Sequence, residues 1–160
     1  MTPLYIVIHD SVSVYGNQFM IDDWHAQRGF SYQHKYSGTA LSFGYHYAIL
    51  NGRVWSSAEY EEIHDGVIVP GRPENAIGAH CRANGRNMDS LGIVLLGPPF
   101  TSKQSTSLIK LSYHLKNKYK IETKNIRGHK EEDPKKKKDP RIDMKLLRSF
   151  IDDYEGSIDD

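Results

Sequence analysis

The chain has 160 residues, close to one average domain, and 38% hydrophobic with 26% charged residues is a globular mix rather than that of a disordered tail. Its 21 Lys and Arg against 20 Asp and Glu leave a formal charge of +1, which argues against a general polyanion binder. No apolar run approaches the ~18 residues of a membrane span, and the single cysteine, Cys81, excludes internal disulfides and cysteine-based zinc fingers.

The first nine residues, MTPLYIVIH, lack the basic segment and long apolar core of a signal peptide, which predicts synthesis in the cytoplasm without an export signal. Within them, residues 4–8 form a short β-branched run that reads as a buried strand ending at His9. Residues 19–28 read as a helix, with Gly29 as its stop. Residues 44–50 are aromatic and β-branched and predict a strand. Asn51-Gly52 then signals a tight hairpin, because both turn positions tolerate positive φ, with residues 53–55 as the returning strand. Residues 64–88 read mainly as loop with short strands, and residues 90–96 (SLGIVLL) as a buried strand.

Thr101 and Gln104 fit a capping box, and Leu108, Leu111 and Leu115 follow at helical spacing, predicting a helix to about Tyr119. A last helix is expected from near Asp143 through Leu146, Leu147, Phe150 and Ile151. Neither an internal repeat nor a linker divides the chain. The order predicts one α/β domain over 1–160, a central mixed β-sheet flanked by helices, with an acidic tail at about 152–160.

Charge is unevenly placed. Residues 127–141 carry seven basic and four acidic groups, net +3, whereas residues 142–160 carry two basic and six acidic, net −4. The four lysines 135–138 lack interleaved aromatics, so they read as a solvated loop rather than a nucleic-acid patch. Among eight histidines (9, 25, 34, 46, 64, 80, 114 and 129), two are singled out. His9 ends a buried strand, and His129 shares an irregular segment with Asp139. Two imidazoles and a carboxylate suit a catalytic zinc with an open fourth position. A rival set of His9, His80 and Cys81 leaves His129 and Asp139 without a role.

The chain carries, in order, Ile6-Val7-Ile8-His9, Trp24-His25, Arg28-Gly29-Phe30, Gly44-Tyr45-His46-Tyr47, Ile77-Gly78-Ala79-His80 and Ser90-Leu91-Gly92-Ile93. Phe100-Thr101 with Gln104, and Gly128-His129 with Lys137-Lys138-Asp139-Pro140, complete the set. From about residue 4 to 148 this resembles the type 2 zinc-dependent N-acetylmuramoyl-L-alanine amidases, a family of short phage lysins, bacterial recycling amidases and peptidoglycan-recognition proteins.

The resemblance implies that His9, His129 and Asp139 hold one Zn2+, the family using cysteine or aspartate at the third position. Such a centre keeps a net charge of +1 and polarises an amide carbonyl. Lys137 matches the family's catalytic lysine, and in an extended segment its side chain points the same way as Asp139. Tyr45 matches the tyrosine of the family's Gly-Tyr-His segment. In a strand over 44–50 it shares a face with Tyr47 and Ile49, and His46 takes the other. A glutamate serves as base in some relatives, and no residue here matches it clearly.

His46 and His80 are expected to bind substrate, His80 alternatively being a satisfied loop residue. Trp24 and His25 are expected in packing, Asn87 and Ser90 in bracing the loop before the central strand, and Cys81 as a small buried residue. The implied substrate is peptidoglycan, cut between N-acetylmuramic acid and L-alanine, with the basic 127–141 segment attracting stem-peptide carboxylates. A monomeric phage or prophage endolysin, reaching the wall after holin-type release, is the expected setting. The alternatives are a cytoplasmic muropeptide-recycling amidase, a non-catalytic peptidoglycan-binding module, and a regulator that binds a host protein.

Overall fold

The computed structural model of the chain describes residues 1–30 and 42–156, and its strands form one sheet in the order β3-β2-β4-β1-β5. β1 (Tyr5–Asp10) lies between β4 (Ser90–Leu95) and β5 (Ile126–Gly128) and runs parallel to both. β2 (Tyr47–Asn51) is parallel to β4, and β3 (Asp65–Pro70) closes the far edge antiparallel to β2. Covered on both faces, β1 and β4 are apolar along nearly their whole length instead of alternating.

The pleat still sorts side chains between two layers. Ile6, Ile8, Leu91, Ile93 and Leu95 pack with Leu108, Leu111 and Leu115 of α3 (Ser102–Tyr119) and with Leu147 and Ile151 of α5 (Met144–Gly156). Ala48, Leu50, Val94 and Leu96 face the opposite way, onto Ile21 and Trp24 of α1 (Gln18–Gln27) and Phe43. By the same parity His9 leaves the sheet on the α1 side, close to the carboxyl ends of the parallel strands. In open α/β sheets that is where crevices form.

The helix ends follow the sequence closely. Thr101 Oγ1 accepts from Gln104 N at 3.0 Å, and Thr101 N donates to the Gln104 side-chain oxygen at 3.1 Å. The Gln104 amide also donates to the carbonyls of Ile49 and Leu96, at 2.9 and 2.8 Å, fastening α3 to the sheet. Asp143 caps α5 by accepting from Leu146 N at 3.0 Å. Gly29, with φ +78°, stands just past the end of α1.

Other expectations are corrected. Gly52 does turn the chain at φ +80°, but Asn51 pairs with Asp65, so the returning strand is β3 and not residues 53–55. That stretch binds the loop before α1 instead. Arg53 O accepts from Gly16 N at 2.8 Å, and Val54 O accepts from Asn17 Nδ2 at 2.9 Å. Residues 45 and 46 are bends preceding β2, which breaks the expected alternation. Tyr45 therefore packs on the α1 side and Tyr47 on the α3 side. The short α2 (Arg86–Asp89), β5 and the short α4 (His129–Glu132) were not expected, since three residues of strand and single helical turns leave no periodic signal. The expected acidic tail lies partly outside the described residues, as does His34.

Candidate functional site

His9 comes from β1, His129 opens α4 directly after β5, and Asp139 follows a turn; donor atoms of the three lie within 4.8 Å of one another. Asp139 Oδ2 is 2.8 Å from His129 Nδ1 and 3.4 Å from His9 Nδ1. Ligand atoms at roughly 2.0–2.1 Å from a tetrahedral zinc stand about 3.3 Å apart, so donor types and spacing both fit that ion. His9 and His129 are buried and Asp139 is half-buried, and all three border a cleft of about 730 Å³.

The surrounding contacts hold the three donors in register. Asp139 Oδ1 accepts from Asp10 N at 3.0 Å, which leaves Oδ2 for the centre. The buried Asp10 carboxylate accepts from Arg141 N at 2.8 Å and from Arg141 Nη1 at 2.9 and 3.1 Å. This latch pins the Asp139 segment to the end of β1. Behind His9, Nε2 lies 3.0 Å from His80 Nδ1. Outer contacts of this kind orient metal ligands.

Burial lowers the His9 pKa below its ordinary value although Asp139 opposes it, so the ring is neutral, as a ligand must be. Burial also acts to raise the Asp139 carboxyl, but the hydrogen bond from His129, the neighbouring His9 ring and the Asp10 backbone N–H outweigh it and hold the group well below the usual carboxylate range. The Tyr45 phenol is pushed up by burial and then by the Asp139 charge, so it stays protonated and is a hydrogen-bond donor.

Tyr45 lines the cleft, its ring centroid 5.0 Å from that of His9. His80 also borders it, but its two ring nitrogens face His9 Nε2 at 3.0 Å and Ser90 Oγ at 3.4 Å, which leaves neither for a substrate. His46 stands outside the cleft lining. Its Nδ1 accepts from Gly92 N at 3.0 Å and its Nε2–H donates to Ala76 O at 3.0 Å, a structural role in place of the expected substrate contact. Residues 133–139 turn rather than extend: Lys136 N donates to Asp133 O at 2.9 Å and Asp139 N to Lys136 O at 3.0 Å. The expected parity between Lys137 and Asp139 is therefore lost. Lys136 lines the cleft, and Lys137 is exposed and outside that lining.

Trp24, His25 and Cys81 line the cleft wall, and Asn87 Oδ1 accepts from both His80 N and Cys81 N at 2.8 Å. Sequence reading missed Arg28 and Arg82, which add positive charge to the cleft, and the Asp10–Arg141 latch. Asp10 had one signal, its place directly after His9.

Burial holds the His46 pKa down to about 4, so the fold favours the neutral ring. Its contribution is full above pH 6.5 and is lost as pH falls from there toward 4. Lowering pH from 7.5 to 5 is expected to remove about 2 kcal/mol of stability through this residue, and less in a His46→Asn variant. Denaturant unfolding of both proteins at the two pH values measures the difference.

A comparison with curated proteins gives no match. The family model described as N-acetylmuramoyl-L-alanine amidase matches residues 1–142. Among solved structures, the N-acetylmuramoyl-L-alanine amidase LysC from Clostridium intestinale URNW is 30% identical, with a TM-score of 0.72 over 95% of this chain and 87% of that one. The endolysin amidase LysCS from the same source is 33% identical, with a TM-score of 0.65 over 88% and 76% of the two chains. The Ph2119 endolysin, from a Thermus scotoductus MAT2119 bacteriophage, shares the fold at 22% identity and a TM-score of 0.67, over 94% of this chain and 85% of that one. With a five-stranded sheet of this type and a family match over most of its length, the chain belongs to the N-acetylmuramoyl-L-alanine amidases.

Proposed function

We propose that the chain is a zinc-dependent endolysin that cuts peptidoglycan between N-acetylmuramic acid and L-alanine. The observation that carries this reading is the convergence of His9, His129 and Asp139 beside the cleft. These residues would hold Zn2+, which when bound supplies a Lewis acid that acidifies water and polarises the scissile carbonyl. Tyr45 donates a hydrogen bond to the oxygen that becomes the oxyanion. The Lys137 ammonium, from the turn before Asp139, adds positive charge there. Asp10, through Arg141 on one side and Asp139 on the other, keeps the carboxylate aimed. Arg28, Arg82 and Lys136 attract stem-peptide carboxylates to the cleft. The endolysin relatives favour a lytic role on intact wall, and no described helix is long and apolar enough to cross a membrane.

The test is mass spectrometry of purified peptidoglycan digested by the protein. Free stem peptides beginning at L-alanine are expected, absent after chelation and restored by zinc. Glycan fragments with intact stems would sink the amidase chemistry. Activity on soluble muropeptides but not on intact wall would favour the recycling role over the lytic one.

A further inference from the structure

We propose that His80 and Ser90 form a one-way hydrogen-bond relay that fixes the His9 tautomer, which makes His80 a positioning residue of the metal centre. This rests on the zinc reading above. The direction follows from one hydrogen. Ser90 Oγ donates to Arg86 O at 2.5 Å, and a carbonyl can only accept. Having spent its single hydrogen, the hydroxyl can only accept from His80, whose Nε2 lies 3.4 Å away. His80 therefore carries its proton on Nε2 and is bare at Nδ1. The Nδ1 atom, 3.0 Å from His9 Nε2, accepts from it. His9 in turn is bare at Nδ1, the atom that faces Asp139 Oδ2.

The relay sits in a seat built for it. His9, His80 and Ser90 are all buried. A Cβ on Gly92 would come within 2.6 Å of the His80 ring, and one on Gly78 within 2.5 Å, so the two glycines leave the imidazole just enough room between them. Asn87 fixes the His80 backbone from below. Chemically, a metal-bound histidine is often backed by a carboxylate. Here the backing group is a neutral imidazole, so it orients His9 without adding negative charge, and the centre keeps its net +1 and its Lewis acidity.

The experiment reads tautomers and zinc affinity, not turnover. Two-bond 1H–15N correlation spectra of histidine, on wild-type protein at pH 8 with and without zinc, are expected to show His80 protonated at Nε2 and bare at Nδ1. Ser90→Ala removes the hydroxyl but keeps the Ser90 backbone contact to His80, so the decisive pair is His80→Asn against His80→Leu. The asparagine amide oxygen can still accept from His9, so His80→Asn should hold zinc better, while His80→Leu is expected to raise the zinc Kd tenfold or more, the usual size for loss of an outer contact. The relay falls if wild-type His80 carries its proton on Nδ1, or if the two variants lose zinc equally. Should wild-type protein bind no zinc while His80 is protonated at Nε2, the zinc reading fails and the relay stands.

Discussion

Asp139→Ala is expected to lose zinc and peptidoglycan cleavage together while the sheet stays folded. The substitution removes one of three donors, leaving two imidazoles that cannot close the site alone. It also leaves Asp10 N without its acceptor, so the Arg141 latch no longer ends on the centre. Metal content by atomic absorption should fall from one zinc per chain to background, and stem-peptide release with it. Circular dichroism should be unchanged, because the residue lies on a turn outside both core clusters. Asp139→Cys provides the positive control, since a thiolate is an equally good zinc ligand. A fully active Asp139→Ala protein would overturn the ligand set.

Lys137→Ala is expected to keep zinc and fold but to lower turnover about 100-fold, the usual loss when one donor to an oxyanion is removed. Lys136→Ala is expected to act mainly on KM, because that side chain borders the cleft where the stem peptide enters. The neighbours are one residue apart on the same turn, so the comparison isolates the role from the general charge of the run. The reverse pattern, with the large loss in kcat from Lys136→Ala, would move the oxyanion role one residue along. Rate and zinc content measured on the same preparations separate these outcomes.

How far the sequence could be read depended on the range of the signal. Residues 4–9 and 90–96 were legible because a strand buried on both faces writes a continuous apolar run, and α3 because its capping box and leucine spacing are local. The partner of Asn51-Gly52 was not legible. Nothing in residues 53–55 records that Asn17 and Gly16 claim their carbonyls from across the molecule. In the site, the two histidines and Asp139 stood out by residue type and order. The fates of His46 and His80 did not, because both depend on what each ring nitrogen meets after folding. Lys137 shows a further limit. Its spacing from Asp139 is plain, but the direction of the side chain is set by a turn that the lysine run does not announce.

The place of β1 in the sheet has a consequence for synthesis. This strand is made well before its two neighbours, which pair Tyr5 with Ser90 and Ile6 with Ile126. Until they are made, an unpaired strand with apolar residues 6–8 is exposed, as is usual where sheet pairing is distant in sequence. It also means that no partial product can complete the metal centre, because His9 waits for a donor 130 residues later. On the zinc reading, the chain stays inert until Asp139 has been made.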